Sequence, residues 1–184
     1  AIEQLTTEKN DENLQGDVPP TPSIILQGDE TFCKVLLSGS AGIAITEGAS
    51  DHEFPYVRSI LCNGKSEEIS APLTGLFKPS DLPDQHEPIH RIIAEYSAAR
   101  YLVRRIQNSS DRLTLNRILS IIAPNNVPRS ELRGVLAWMA TQGEEAIETA
   151  IIELDPYAVI SNGDPSLLSS KSKMHLLKAL VDYA

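Results

Sequence analysis

Aromatic side chains are scarce in this sequence, with three Phe, five Tyr and one Trp, so aliphatic residues must build the interior. Cysteine is thinner still. Cys33 and Cys62 are too few for a disulfide framework and lack metal-ligand spacing, which points to a reducing cytoplasm. The only methionines are Met139 and Met174, from which we expect a cut or processed piece of a longer chain. Long hydrophobic runs are also missing: the cluster from Ile118 to Ala123 falls far short of the roughly 20 residues needed to span a bilayer. A soluble protein with no membrane partner is expected. The N-terminus carries no basic segment followed by an apolar stretch and a cleavage site. Positive charge is in the minority, 16 Lys and Arg against 25 Asp and Glu for a net charge of -9, which argues against nonspecific binding of nucleic acid or an anionic membrane.

What remains is the composition of an ordinary globular chain. At 184 residues, with 41% hydrophobic and 22% charged positions, one domain or a domain with a subdomain is expected. Residues 1–28 are acidic and proline-rich, with Pro19, Pro20 and Pro22 favouring an extended linker. From Asp29 the pattern turns helical: Asp29 suits a cap, Phe32, Val35, Leu36 and Ile43 an apolar face, and Gly39 and Gly42 the helix end. Between Thr46 and Ser80 the apolar clusters shorten, which suits short helices and a small β-ribbon. A polar loop from Lys78 to Glu87 then leads to Pro88, placed to open a helix.

The strongest periodic signal runs from Ile89 to Ile106, where Ile89, Ile92, Ile93, Tyr96, Ala99, Val103 and Ile106 recur at helical spacing. A second helix is expected from a cap at Ser110 or Asp111 through Leu115, Ile118, Leu119 and Ile122 until Pro124. Ser130 should cap a third, carrying Leu132, Val135, Leu136 and Met139. After Gly143, Glu144 should begin a fourth with Ile147, Ile151 and Leu154 on its face. Asp155-Pro156 should start a short helix, Asn162-Gly163-Asp164-Pro165 a turn, and Ser170 a last helix with Leu176, Leu177, Leu180 and Val181. The fold class is mainly α, its back half written as a helical bundle or α-solenoid without a period clean enough for a named repeat.

Few motifs carry chemistry. Asn63-Gly64-Lys65-Ser66 contains a GKS string, but a phosphate-binding loop needs glycine where Ser59 stands, so an ordinary turn is the better reading. His52, His86, His90 and His175 are scattered, and Pro88 keeps His86 and His90 off a shared helical face, so no metal site is expected. No G-x-S-x-G nucleophile elbow is present. Arg91, Arg100, Arg104, Arg105, Arg112 and Arg117 cluster within an acidic chain; without interleaved aromatics, salt-bridged helices explain them better than a nucleic-acid surface.

The string from Pro88 to Leu102, with His90, Glu95, Tyr96, Ala98 and Ala99, resembles the His-x-x-x-x-Glu-aromatic-x-Ala-Ala motif of NACHT-type STAND ATPases. Leu36–Ile43, Leu73–Phe77 and Glu131–Ala140 are similar to pieces that follow in the same order, so the resemblance covers roughly residues 29–184 and bacterial members associated with phage defence. It implies a winged-helix-like module over 29–106 and a helical, repeat-like region over 107–184. It further implies that His90 contacts the phosphate of ADP, and that ATP or ADP is held by an ATPase core elsewhere in the same parent chain. The helical region would then sense a protein or ligand. P-loop, Walker B acid and sensor arginine are absent from these residues, so no ATP hydrolysis and no enzymatic activity is expected of them. The alternative is a freestanding helical protein–protein interaction module without nucleotide.

Overall fold

The computed structural model describes residues 22–37, 77–79 and 86–182. Readings on Gly39, Gly42, His52, Cys62 and Asn63-Gly64-Lys65-Ser66 lie outside the described residues. Contact density divides the chain into two compact units, Ala1–Ser97 and Ala98–Ala184.

In the first unit, helix α1 spans Pro22–Leu37. It starts seven residues before the expected Asp29 cap, because Pro22 fits a first helical turn, where its missing N–H costs no hydrogen bond. Asp29 therefore lies inside the helix and is buried with Phe32, Cys33 and Leu37, while Glu30 and Lys34 pair at 2.7 Å. Strands β1 (Phe77–Pro79) and β2 (His86–Pro88) form an antiparallel ladder in which Phe77 faces Pro88 and Pro79 faces His86. Pro88 thus ends a strand, contrary to its expected place in a helical first turn. Two prolines in a three-residue ladder withhold two amide donors, which keeps the ladder short.

The winged-helix-like module expected over 29–106 is not what these residues form. A winged helix needs a β-sheet wing beside a helix-turn-helix. The described residues of that range are helical apart from this one three-residue ladder and the two residues that join it to the next helix, so the described chain is mainly helical and the expectation is corrected.

Helix α2 runs Arg91–Gln107. Its buried residues are Ile93, Ala94, Glu95, Ser97, Ala98, Ala99, Leu102 and Val103. Ile92 is 60% exposed and Ile89 also faces solvent, so two of the expected stripe residues stand outside it. Small side chains at Ala94, Ser97, Ala98 and Ala99 widened the buried face beyond what large apolar residues alone mark.

The second unit continues with α3 (Leu115–Ile122), whose cap is Thr114. Neither expected cap serves: Ser110 N–H and Oγ donate to Asn108 Oδ1 at 3.1 and 2.8 Å, and Asp111 accepts from Leu113 N–H at 3.0 Å and from Arg105 Nε and Nη2 at 2.6 and 2.9 Å. The Arg105 hydrogen bond holds the Asp111 carboxyl below its ordinary range. Pro124 ends α3 as expected and opens a short 3-10 turn, in which Asn125 and Asn126 both adopt positive φ. Asparagine tolerates this left-handed region better than most residues.

Four helices follow: α4 (Arg133–Gln142), α5 (Glu145–Leu154), α6 (Pro156–Asn162) and α7 (Ser170–Asp182). Ser130 and Leu132 fall in a 3-10 turn ahead of α4, and Ser130 makes no side-chain cap. Helix α4 packs on α5 and on α6, α5 on α6 and α7, and α6 on α7. Two helix pairs, α4–α5 and α6–α7, are thus stacked, with like positions in contact across the layers.

Local chemistry sets each boundary. Gly143 joins α4 to α5 where a Cβ would meet Ile147 Cβ at 2.7 Å and the Met139 carbonyl at 2.8 Å. Asp155 accepts from Ala158 N–H at 2.9 Å to cap α6, ahead of Pro156. Asp164 caps the 3-10 turn Pro165–Leu167 through Ser166 N–H at 3.0 Å. The core consists of Ile118, Ile121 and Ile122 from α3, Leu132, and Leu136, Met139, Ile147, Ile151, Ile152 and Val159 from the stacked pairs.

Two part-buried polar ties hold the layers together. Arg133 Nε and Nη2 donate to Asp155 at 2.7 and 2.8 Å, linking the first turn of α4 to the cap of α6. Glu148, buried on α5, accepts from Ser169 Oγ at 2.9 Å and Ser169 N–H at 3.3 Å, while that hydroxyl accepts from Ser172 N–H at 3.1 Å at the start of α7. A buried carboxylate is tolerable because it is hydrogen-bonded in this way.

Candidate functional site

His90 immediately precedes α2. Its backbone carbonyl accepts the Ala94 N–H at 3.1 Å, closing the first helical bond, and the residue is exposed. This is the helix N-terminus on which an anion-facing role was expected. Arg91 and Glu95, one turn apart, bind each other at 2.7 Å. Burial raises the Glu95 carboxyl above its ordinary value, against the lowering effect of the Arg91 hydrogen bond and charge. His86 lies in β2 and is separated from the helix that follows His90.

The arginines of the centre are largely committed to internal partners. Arg105 forks onto Asp111, donates to Tyr101 Oη at 3.2 Å and stands 5.5 Å over the Tyr101 ring. Its guanidinium is held further toward the charged form, chiefly by the Asp111 hydrogen bond. Arg100 and Arg104 are likewise engaged. Bidentate Arg–carboxylate pairing of this kind removes donors that a phosphate backbone would need. Arg112 and Arg117 are exposed.

A different surface was not legible as such in the sequence. On α7, Ser172 and Leu176 are buried, whereas Met174, Leu177 and Val181 are 68%, 58% and 76% exposed. At about 100° per residue, positions 174, 177 and 181 share the side of the helix opposite 172 and 176. Leu177 and Val181, expected among the apolar residues of this helix, therefore point away from its packed face. Tyr157 and Ile160 on α6 and Leu167 in the turn before α7 are exposed as well. The outer layer thus presents several large apolar side chains to solvent from both of its helices. The signal available in the sequence was excess: Met174, Leu176, Leu177, Leu180 and Val181 are too many apolar residues for one helical face.

Lysines border the α7 stripe. Lys171 and Lys178 follow one flank with Met174 at i, i+3 and i+7 spacing, and Lys173 lies on the other. Lys171 pairs with Glu145, and Lys173 Nζ donates to the Ser166 carbonyl at 2.7 Å. Lys178 is exposed and makes no ion pair with another described residue. His175 Nε2 stands 3.9 Å from Glu153 Oε1.

Among the described residues, no group of three His, Cys, Asp or Glu side chains is arranged to hold a metal ion, and no helix is long and apolar enough to cross a membrane. Comparison with protein-family models, with curated proteins and with solved structures gives no match to this chain. The likeness to NACHT-type STAND ATPases therefore rests on the residues quoted for it, and the stacked helix pairs with their exposed apolar outer face are the feature from which function is argued.

Proposed function

We propose that this chain is a helical protein–protein interaction module whose binding surface lies on the helices after Ser110. The observation that supports the reading is the outer layer itself. Stacked helix pairs bury apolar residues between layers and need a polar outermost face to stand alone in water, yet Met174, Leu177 and Val181 face solvent here. Contiguous exposed apolar surface rimmed by polar residues marks interaction sites. The test is site-specific photo-crosslinking in cells, with the cross-linker placed at exposed positions along 110–182. A recurrent adduct with one partner protein supports the module. Only background adducts at every position would overturn it.

A second reading draws on the placement of His90. An exposed imidazole at the N-terminus of α2 suits an anion, since the first-turn amides there favour negative charge. In this reading the chain relays ATP or ADP state from an ATPase core in a longer parent protein. It requires a GxxxxGK[ST] motif upstream in the same reading frame, and an open reading frame without one removes it.

A further inference from the structure

We infer that α7 is a detachable latch: it undocks from α5 and α6 as one unit, pivoting after the buried Leu168, while α4, α5 and α6 stay folded. This goes beyond the interaction-module reading and does not depend on it.

Three observations carry it. First, α7 is turned against its own composition. At helical spacing its inward side carries Ser172, His175, Leu176, Ala179 and Leu180, and its outward side Met174, Leu177 and Val181. Of its thirteen residues, Leu176 is the one large apolar side chain that is buried. Docking strength follows the apolar area removed from water, so α7 is held far less firmly than α4, where every residue from Gly134 to Thr141 is buried.

Second, the polar groups at the contact favour opening or resist it weakly. The Ser172 hydroxyl is buried without a hydrogen-bond partner among the described residues. Water would satisfy it in the open state, so its desolvation cost is relieved by undocking. Against this stand the Ser169–Glu148 hydrogen bonds, the Lys171–Glu145 pair and the approach of His175 to Glu153. Lys171 and Glu145 are both exposed, and exposed pairs of this kind contribute little and are screened by salt.

Third, an undocked α7 does not persist as a helix. Isolated helices of about this length are marginal in water, because nucleation is costly and packing supplies most of the stability. Losing the contact therefore unwinds the whole element, which makes its opening all-or-none. The opening also uncovers part of α5: Ile152, fully buried, stands at i+4 from Glu148 and i+7 from Glu145, the two residues that bind the start of α7.

The experiment is residue-resolved native-state hydrogen exchange on the full chain. The α7 amides from Lys173 to Asp182 are expected to share one opening equilibrium and to be at least about tenfold less protected than those of Leu136 to Ala140 in α4. Two matched pairs of variants separate docking from helix propensity. Leu176→Ala should increase the opening of α7 at least about tenfold, and Leu177→Ala, on the exposed side, should not. Ser172→Ala should reduce the opening about fivefold, clearly more than Ser170→Ala does at an exposed position. None of the four should change exchange in α4.

Equal protection of α7 and α4 overturns the proposal. So does protection that falls gradually toward Asp182 while Lys173 exchanges as slowly as α4, since that is end fraying and not undocking. Leu176→Ala accelerating α4 as much as α7 would make α7 part of the same cooperative core, and Ser172→Ala increasing the opening would remove the unsatisfied hydroxyl as its cause; either result sinks the latch.

Discussion

Helices α4 and α7 lie in successive layers of one stack, and their apolar residues meet opposite fates. Every residue from Gly134 to Thr141 of α4 is buried, because α5, α6 and the 3-10 turns at Ser130–Leu132 and Pro165–Leu167 surround it. Helix α7 leans on α5 and α6, and only Ser172 and Leu176 are buried along its thirteen residues. The difference follows from position in the stack. Apolar content alone does not say which of a helix's faces acquires a neighbour, and on α7 one apolar face remains in water.

The largest effect should come from hollowing the inner helix. Met139 is fully buried in α4, and Met139→Ala should destabilise the fold by about 2–5 kcal/mol, since the lost transfer energy adds to a cavity the close-packed surroundings cannot fill. Urea unfolding measures it. A loss below about 1 kcal/mol would mean that α4 is not the packed centre of the unit.

Asp155→Ala should cost less, about 1–3 kcal/mol, by removing the α6 cap and the partner of Arg133 together. Asp155→Asn keeps a side-chain oxygen for the cap and should recover most of that loss. Equal destabilisation by both variants would place the energy in the ion pair instead.

The smallest effect should be at the outer helix. Leu177→Ser should change the stability of the isolated chain by no more than about 0.5 kcal/mol, as is usual for exposed positions. A loss comparable to that of Met139→Ala would show that the two faces of α7 are not different in kind.

The back half was largely legible in the sequence because its signals are local. Pro124, Gly143, Asp155-Pro156 and Asn162-Gly163-Asp164-Pro165 each act within a few residues, and each ends or begins an element where expected. Misassignments came where a tertiary contact competed with a local one. Asp111 reads as a cap, but Arg105 takes its carboxylate and Thr114 caps α3 in its place. Ile92 reads as core at helical spacing, yet the small residues Ala94, Ser97 and Ala98 define the face that packs. The stacked pairs escaped detection as a repeat because α4, α5, α6 and α7 have 10, 10, 7 and 13 residues, so equivalent positions keep no fixed separation. The outward stripe on α7 was illegible for a different reason: sequence shows that a face is apolar, but which helix lies next to it is a property of the stack.

The side-chain ties between the layers share a property of chain connectivity. Arg133 and Asp155 are 22 residues apart, Glu148 and Ser169 are 21, and Glu145 and Lys171 are 26. Each closes a loop of roughly one helix pair, a modest entropic cost because that cost rises only slowly with loop length. Contacts of such short range favour rapid folding. Assembly can therefore follow the order of synthesis, each new pair docking on the one already made as it leaves the ribosome, so that no layer must wait for a partner encoded far downstream.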